Sequence, residues 1–276
     1  MVISIVLLII GFFLLIKGAD YLVEGSSSLA SKLKVSDLLI GLTIVAFGTS
    51  TPELIVNIIA SYQDNTGIAY GIVIGSNIVN ILLILGIAGL IYPIKTEKNT
   101  VWKEIPLSLM AAVALLILCR PDIKIFSNRR IVVYIIVGLA ALFFGGRFVV
   151  NSAVNIAHRL NISEKLIALT IVSIGTSLPE LFTSAVAAKN HKSDIAIGNV
   201  VGSNIFNIFF ILGISAVIRP LTYPITLNSD LIILIGASLL LFLTMFTGHK
   251  RRLDWWESFS FLILYCGYVI FLLYRR

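Results

Sequence analysis

The chain has 276 residues, of which 58% are hydrophobic and 13% are charged, and its formal net charge is +7. Because a soluble domain has about 45–50% apolar and about 25% charged residues, this composition excludes a water-soluble enzyme. The positive charge lies mainly in short loops between apolar stretches. This distribution is typical of residues that orient membrane helices, and it does not indicate binding to nucleic acid.

Nine apolar segments follow one another along the chain, most of them close to the length of about 20 residues that a membrane helix needs. The loops between them are short and leave no room for a separate soluble domain. We therefore predict an all-α, multi-pass membrane protein. The predicted spans are residues 2–31, 36–61, 67–91, 101–119, 130–158, 164–188, 195–218, 230–247 and 256–274.

An internal repeat relates two halves of the chain. Residues 40–54 read IGLTIVAFGTSTPEL, and residues 167–181, 127 positions later, read IALTIVSIGTSLPEL. At the same offset, GIVIGSNIVNILLILG at 71–86 matches GNVVGSNIFNIFFILG at 198–213. Duplicated helical halves with polar motifs at matching positions are typical of secondary transporters, whose substrate site lies where the halves meet.

The repeat predicts how the chain is organised. We expect one transmembrane domain made of two repeat units. The first unit is predicted to comprise residues 1–128, with its motif at 40–86. The second is predicted to comprise residues 129–276, with its motif at 167–213.

Each half contains a proline and a glutamate deep inside an apolar segment. A proline in a helix leaves the carbonyl four residues earlier without its usual donor, so Pro52 frees the Gly48 carbonyl and Pro179 frees that of Gly175. Free carbonyls are tolerated in a bilayer only where they face a cavity or another partner. We therefore predict that each motif is a broken helix with exposed oxygen atoms.

Oxygen-bearing groups flank the two intramembrane glutamates, Glu53 and Glu180, at helical spacing. Neither motif contains Lys or Arg, and a carboxylate at the membrane centre costs about 3 kcal/mol, so a bound cation is the expected compensation. The alternative, in which protonated glutamates bond between helices, explains the duplication less well. Oxygen ligands without thiolate or imidazole suit hard cations such as Ca²⁺. The predicted ligands beside the glutamates are Ala46, Thr49, Ser50, Ser173, Thr176 and Ser177, and the next span of each half adds Ser76, Asn80, Ser203 and Asn207.

The duplicated GTS-x-PE and GSN-x-x-N motifs resemble the alpha-repeats of the calcium/cation antiporter superfamily, specifically sodium/calcium exchangers of the prokaryotic type. The resemblance implies ten transmembrane helices in two inverted units of five, with the ion sites at mid-membrane. It implies that Ca²⁺ binds Glu53, Glu180 and the carbonyls of Thr49 and Thr176, with Asn80 and Asn207 at the centre. The residues that it assigns to Na⁺ sites are Ala46, Ser50, Ser76, Ser173, Ser177 and Ser203.

Three features depart from the family pattern. Some members have an aspartate where this chain has Asn207, which leaves the counter-ion and stoichiometry open. The second repeat has Asn199 where the first has Ile72, so one helix-to-helix hydrogen bond is expected to be missing. Only the segment 101–119 stands where the family has two helices, and we expect that one peripheral helix has been deleted.

These features predict a secondary active antiporter of the plasma membrane that exchanges Na⁺ for Ca²⁺ by alternating access, as the long helices 2–31 and 130–158 slide over the site. Its partners are the two ions and the lipid bilayer, with no cofactor, nucleic acid or required oligomer.

One alternative is an H⁺/Ca²⁺ antiporter, which a pH gradient would drive. Another is a cation channel, which could not move Ca²⁺ uphill. An enzyme is not expected, because the spans contain no nucleophile–base pair.

Overall fold

The structure is a computed structural model that describes residues 2–62, 66–96, 173–218, 225–249 and 251–274. The predicted spans 101–119 and 130–158 lie outside these residues, as do the start of span 164–188, the unit boundary at 128–129 and the expected helix deletion. The other six spans are helical, with ends that differ from the predicted ones by a few residues.

Four helices form the described part of the first half. They are α1 (Val2–Leu33), α2 (Asp37–Thr49), α3 (Thr51–Tyr62) and α4, which passes without interruption through Thr66–Ile78, Val79–Ile84 and Leu85–Ile91. Ser36 caps α2, because its Oγ accepts the Leu39 N–H at 3.2 Å. Helices α2 and α3 together form the second predicted span, and they meet at a bend of 48°.

Five helices form the described part of the second half. They are α5 (Ser173–Thr176), α6 (Leu178–Lys189), α7, which passes through Ser193–Ile205, Phe206–Ile211 and Leu212–Ile218, α8 (Asn228–Thr244) and α9 (Trp255–Tyr274). A 3₁₀ turn at Ile225–Leu227 precedes α8.

The predicted helix breaks are present and have the same backbone conformation in both halves. Ser50 separates α2 from α3 with φ −82° and ψ 6°, and Ser177 separates α5 from α6 with φ −88° and ψ 6°. Each break lies two residues before its proline, so Pro52 and Pro179 occupy the first turn of the following helix, where a missing N–H costs little. The sequence repeat is therefore also a repeat of local structure.

Helices α4 and α7, which carry the GSN motifs, each contain a π-helical turn at equivalent positions. Val79–Ile84 forms this turn in α4, and Phe206–Ile211 forms it in α7. Such turns insert one extra residue into a helix and are frequent at functional sites. They contain Asn80 and Asn207, two of the predicted ligands.

Two apolar clusters hold the described helices together. One joins α4 to α8 and α9 through residues such as Leu85, Leu234 and Phe261. The other joins α1 to α6 through residues such as Leu22 and Ala187. An antiparallel pair of two-residue strands, β1 (Ile94–Lys95) and β2 (Arg252–Leu253), connects the end of α4 to the start of α9, and Ile94 and Leu253 belong to the first cluster.

Hydropathy and length agree with membrane insertion of this bundle. In the described part, the helices at Gly67–Ile91, Ser193–Ser215 and Trp255–Tyr274 are each long and apolar enough to cross a bilayer. The bent pair Asp37–Thr49 and Thr51–Tyr62 qualifies as a fourth span when it is taken together.

Helix α7 packs so closely on α2 that two of its positions exclude a side chain. An added Cβ would lie 2.8 Å from the Leu38 carbonyl oxygen at Gly198, and 2.5 Å from the Leu42 carbonyl oxygen at Gly202. Small residues allow membrane helices to approach until their backbones touch. Because α2 leads into the first break and α7 carries the second π-helical turn, this contact sets the position of one half relative to the other.

We expect Gly202→Ala to destabilise the protein by about 1–3 kcal/mol, the usual cost of overpacking, because its methyl group would collide with the α2 backbone. The measurement is the melting temperature of the purified protein in detergent. Gly213→Ala on the same helix is the matched control, since an added Cβ there meets nothing within 4 Å in the described residues. Equal melting temperatures for the two variants would contradict the close approach.

Candidate cation site

The two helix breaks place predicted ligands from both halves at equivalent points of the fold. Thr49 is the last residue of α2, Ser50 forms the break, and Glu53 lies in the first turn of α3. The equivalent places in the second half belong to Thr176, Ser177 and Glu180.

The serine at each break binds the glutamate of the opposite half. Ser50 Oγ donates to Glu180 Oε1 at 2.8 Å, and Ser177 Oγ donates to Glu53 Oε1 at 3.4 Å. Both carboxyl groups are buried, and each binds the break serine of the other half. The two halves therefore meet at a pair of carboxyl groups.

Helical spacing predicts Ser50 beside its own Glu53, and in this respect the structure differs. The bend at Ser50 ends the helical register between α2 and α3, so the Ser50 hydroxyl points across to Glu180 instead. In the same way, the Ser177 hydroxyl binds Glu53 of the first half and not its own Glu180. Each half thus supplies one glutamate and one serine hydroxyl, and the hydroxyl binds the glutamate of the other half.

The second oxygen of each carboxyl group lacks a hydrogen bond. Glu53 Oε2 and Glu180 Oε2 are both buried without a partner among the residues that the structure describes. Burying a charged oxygen without compensation costs several kcal/mol. The pair of oxygens is therefore suited to receive positive charge from a ligand.

Four asparagines lock α4 to α7 in a symmetric arrangement. Asn77 Nδ2 donates to the Asn204 backbone carbonyl at 3.2 Å, and Asn204 Nδ2 donates to the Asn77 carbonyl at 3.4 Å. Asn80 Nδ2 donates to Asn204 Oδ1 at 2.9 Å, and Asn207 Nδ2 donates to Asn77 Oδ1 at 3.0 Å. Backbone carbonyls only accept, so the orientation of all four amides follows from these contacts.

The interlock leaves the oxygen of each predicted asparagine ligand available. Asn80 Oδ1 and Asn207 Oδ1 are buried and have no hydrogen-bond partner within the described ranges. The interlock also explains one departure from the family pattern, because a carboxylate at Asn207 would bring an acceptor against Asn77 Oδ1. An amide at this position is therefore the better match to its neighbours.

Sequence reasoning missed the two locking residues, Asn77 and Asn204. Both belong to the GSN motif and are identical in the two repeats, which was the available signal. Their role depends on a contact between the halves, which no local spacing reveals. They orient the amides of Asn80 and Asn207 and offer no free atom of their own in these contacts.

The remaining predicted ligands have varied surroundings. Ser203 Oγ is buried near Glu180 without a hydrogen bond to the described residues, and the Thr176 hydroxyl lies near Glu53. The Ala46 carbonyl oxygen lies 3.3 Å from the Thr49 hydroxyl oxygen. Ser76 is buried in α4. Ser173 begins α5, and its side chain lies outside the described atoms.

The donor set that results consists of oxygen atoms. Five unpartnered buried oxygens come from Glu53, Glu180, Asn80, Asn207 and Ser203. The described part of the chain contains no group of three or more His, Cys, Asp or Glu residues that could hold a metal ion. Two carboxylates with several neutral oxygens suit a hard cation, whereas zinc and copper prefer nitrogen and sulfur ligands.

Comparison with known families and proteins agrees with this chemistry. Residues 3–125 and 130–274 match the model of a family described as sodium/calcium exchanger protein. The sodium/calcium exchanger MaX1 of Methanosarcina acetivorans is 30% identical over 348 aligned positions, which cover 99% of both chains. The inner membrane protein YrbG of Escherichia coli is 34% identical, and the alignment covers 80% of this chain and 81% of YrbG.

Solved structures show the same fold. A structure of the sodium-calcium exchanger NCX_Mj soaked without Na⁺ and Ca²⁺ superimposes with a TM-score of 0.83 at 33% identity, covering 98% of this chain and 99% of that chain. A structure of NCX_Mj soaked with 2.5 mM Na⁺ and 10 mM Sr²⁺ gives a TM-score of 0.82. The alignment with MaX1 is longer than this chain, so MaX1 has residues that this chain lacks.

Proposed function

The chain belongs to the sodium/calcium exchanger family, a family of membrane ion exchangers and not of enzymes, and we propose that it exchanges Na⁺ for Ca²⁺ across a membrane. One observation carries this proposal. The glutamates of both halves each have a buried oxygen without a hydrogen bond in the described structure, and no Lys or Arg lies within either motif. A cation shared by Glu53 and Glu180 would compensate both charges at once.

The proposed Ca²⁺ ligands are the two carboxylates together with the carbonyls of Thr49 and Thr176. Ca²⁺ takes about six to eight oxygen ligands, so four groups from the protein need additional oxygens. Asn80 Oδ1 and Asn207 Oδ1 are suitable because the interlock fixes them without using their lone pairs. Water molecules would complete the coordination shell.

Na⁺ would use many of the same oxygens, and this sharing would couple the two ions. The proposed Na⁺ ligands are hydroxyl and carbonyl groups around the carboxylates. Ser50 and Ser177 donate to the carboxylates, and each can turn a lone pair towards a cation instead. Because both ions need Glu53 and Glu180, full occupancy by one excludes the other. The complete proposed set is Ala46, Ser50, Ser76, Ser173, Ser177 and Ser203.

Alternating access would come from movement of α1 over the broken helices. α1 packs on α6 through an apolar contact that contains Leu15, Ala19 and Ala187, and apolar surfaces slide without breaking hydrogen bonds. Near the end of α1, Ser27 Oγ donates to Asp37 Oδ2 at 3.1 Å. Movement of α1 along α2 would break this polar contact, and we propose that residues 130–158 act as the partner helix.

The protein is a multi-pass membrane protein, and we propose that it lies in the plasma membrane. Support comes from the relative YrbG, whose name places it in the inner membrane of a bacterium.

The experiment that tests the exchange uses purified protein reconstituted into liposomes loaded with Na⁺. We expect ⁴⁵Ca²⁺ to accumulate above its equilibrium level when the liposomes are diluted into Na⁺-free medium. Liposomes loaded with choline are the control and should accumulate none. Uptake that follows an imposed pH gradient and ignores Na⁺ would instead indicate proton exchange. Uptake that only follows the Ca²⁺ gradient would indicate a channel.

A further inference from the structure

Asn199 in α7 connects the two helix breaks through a fully satisfied side chain. Its Nδ2 donates to the Glu180 backbone carbonyl at 3.2 Å and to Ser184 Oγ at 2.9 Å. Its Oδ1 accepts the hydroxyl of Thr49 at 3.0 Å. Because the Glu180 carbonyl only accepts, the orientation of this amide is unambiguous. The residue is completely buried.

These three hydrogen bonds differ in kind from the serine–glutamate contacts. The bonds from Ser50 and Ser177 occupy carboxylate oxygens, so a bound cation competes with them. Asn199 holds the side chain of Thr49 and the backbone of Glu180, and it takes up no carboxylate oxygen. A cation at the carboxylates therefore does not compete with its contacts.

The matching position of the first half cannot make this connection. Ile72 occupies the matching position and cannot form hydrogen bonds through its side chain. Asn57, the counterpart of Ser184, instead accepts the Ser215 hydroxyl at 3.2 Å, and its Nδ2 lacks a partner among the described residues. The two sides of the site are thus held differently, although their motifs are nearly identical.

We propose that Asn199 is a positioning residue that holds the Thr49 carbonyl and the Glu180 carboxylate at fixed relative positions for binding Ca²⁺, whichever ions occupy the site. The inference rests on the proposed function, because it concerns the affinity of the same ion site. Asn199 itself does not contact the ion. Its effect passes through the last turn of α2 and the first turn of α6, which flank the two breaks.

The test compares the apparent KM for Ca²⁺ with the maximal rate of Na⁺-driven uptake in liposomes. Thr49→Val removes the donor to Asn199 but retains the backbone carbonyl, and Thr49→Ser restores the donor. We expect Thr49→Val, which removes one buried hydrogen bond to Asn199, to raise KM about tenfold, and Asn199→Ala, which removes three, to raise it at least as much, each with a smaller change in maximal rate. Thr49→Ser should recover most of the lost affinity.

Two further variants sharpen the test. The double variant Thr49→Val with Asn199→Ala should have the KM of Asn199→Ala alone, because residues of one network are not additive. Ile72→Val, at the matching position of the first half, should leave KM within about twofold of the wild type, since this swap usually costs little and removes no hydrogen bond.

The outcomes separate this inference from the proposed function. If Thr49→Val has a wild-type KM, or if Thr49→Ser is as impaired as Thr49→Val, the positioning role is overturned. The comparison of Thr49→Val with Thr49→Ser tests the positioning role even if Asn199→Ala fails to fold. If the wild type shows no Na⁺-driven uptake, the proposed function fails. Calorimetric titration of the purified variants with Ca²⁺ then still measures whether the affinity depends on this hydrogen bond.

Discussion

Replacing either glutamate by glutamine is expected to abolish Na⁺-driven Ca²⁺ uptake. Glutamine keeps the shape of the side chain and an oxygen that can accept from Ser50 or Ser177, but it removes the charge. Removing one partner of a buried charge pair costs about 3–5 kcal/mol. At about 1.4 kcal/mol per factor of ten, Ca²⁺ affinity should fall by at least about a hundredfold.

The uptake assay in Na⁺-loaded liposomes measures this loss for Glu53→Gln and Glu180→Gln separately. Glu24→Gln is a matched control, because Glu24 is an exposed acid in α1 and the substitution removes the same charge. Its uptake rate should stay close to that of the wild type. Near-normal uptake in both glutamate variants would rule out the paired carboxylates as the ion site.

Ca²⁺ is expected to stabilise the folded protein strongly. A ligand that binds only the folded state at one hundred times its Kd adds about 2.7 kcal/mol to the free energy of unfolding. We therefore expect the melting temperature in detergent to rise when Ca²⁺ replaces a chelator. The rise should disappear in Glu53→Gln and Glu180→Gln, whose site cannot balance a divalent charge.

Other cations serve as controls in the same measurement. Mg²⁺ should stabilise the protein less than Ca²⁺, because it requires a near-octahedral shell and gives up its water molecules reluctantly. High Na⁺ should reduce the shift caused by Ca²⁺, since the two ions would share Glu53 and Glu180. A Ca²⁺ shift of the same size in the wild type and in both glutamine variants would contradict binding at this site.

The α-helical membrane fold and its repeat could be predicted from the sequence because hydropathy and internal similarity are properties of the chain itself. Apolar segments of membrane length identify the spans, and Pro52 and Pro179 identify the breaks, which the structure places at Ser50 and Ser177. The resemblance to sodium/calcium exchangers rests on the same motifs, and comparison with the family confirmed it. The assignment of individual ligands stays a prediction.

The partners of the predicted side chains could not be derived in this way. Helical spacing places Ser50 next to Glu53, whereas the hydroxyl binds Glu180 of the other half. The interlock of Asn77 with Asn204 and the contacts of Asn199 likewise join residues more than a hundred positions apart or on different helices. Periodicity describes one helix at a time and carries no information on which helix lies opposite.

Composition, spacing and duplication were thus sufficient to identify the oxygen chemistry and the paired acids, because each motif contains its own polar atoms and its own helix breaker. Contact between the halves decided which of these atoms are already hydrogen-bonded and which have no partner among the described residues. The close packing of α7 on α2 at Gly198 and Gly202 determines which atoms of the two halves face each other. The sequence alone does not show how these two backbones pack in space.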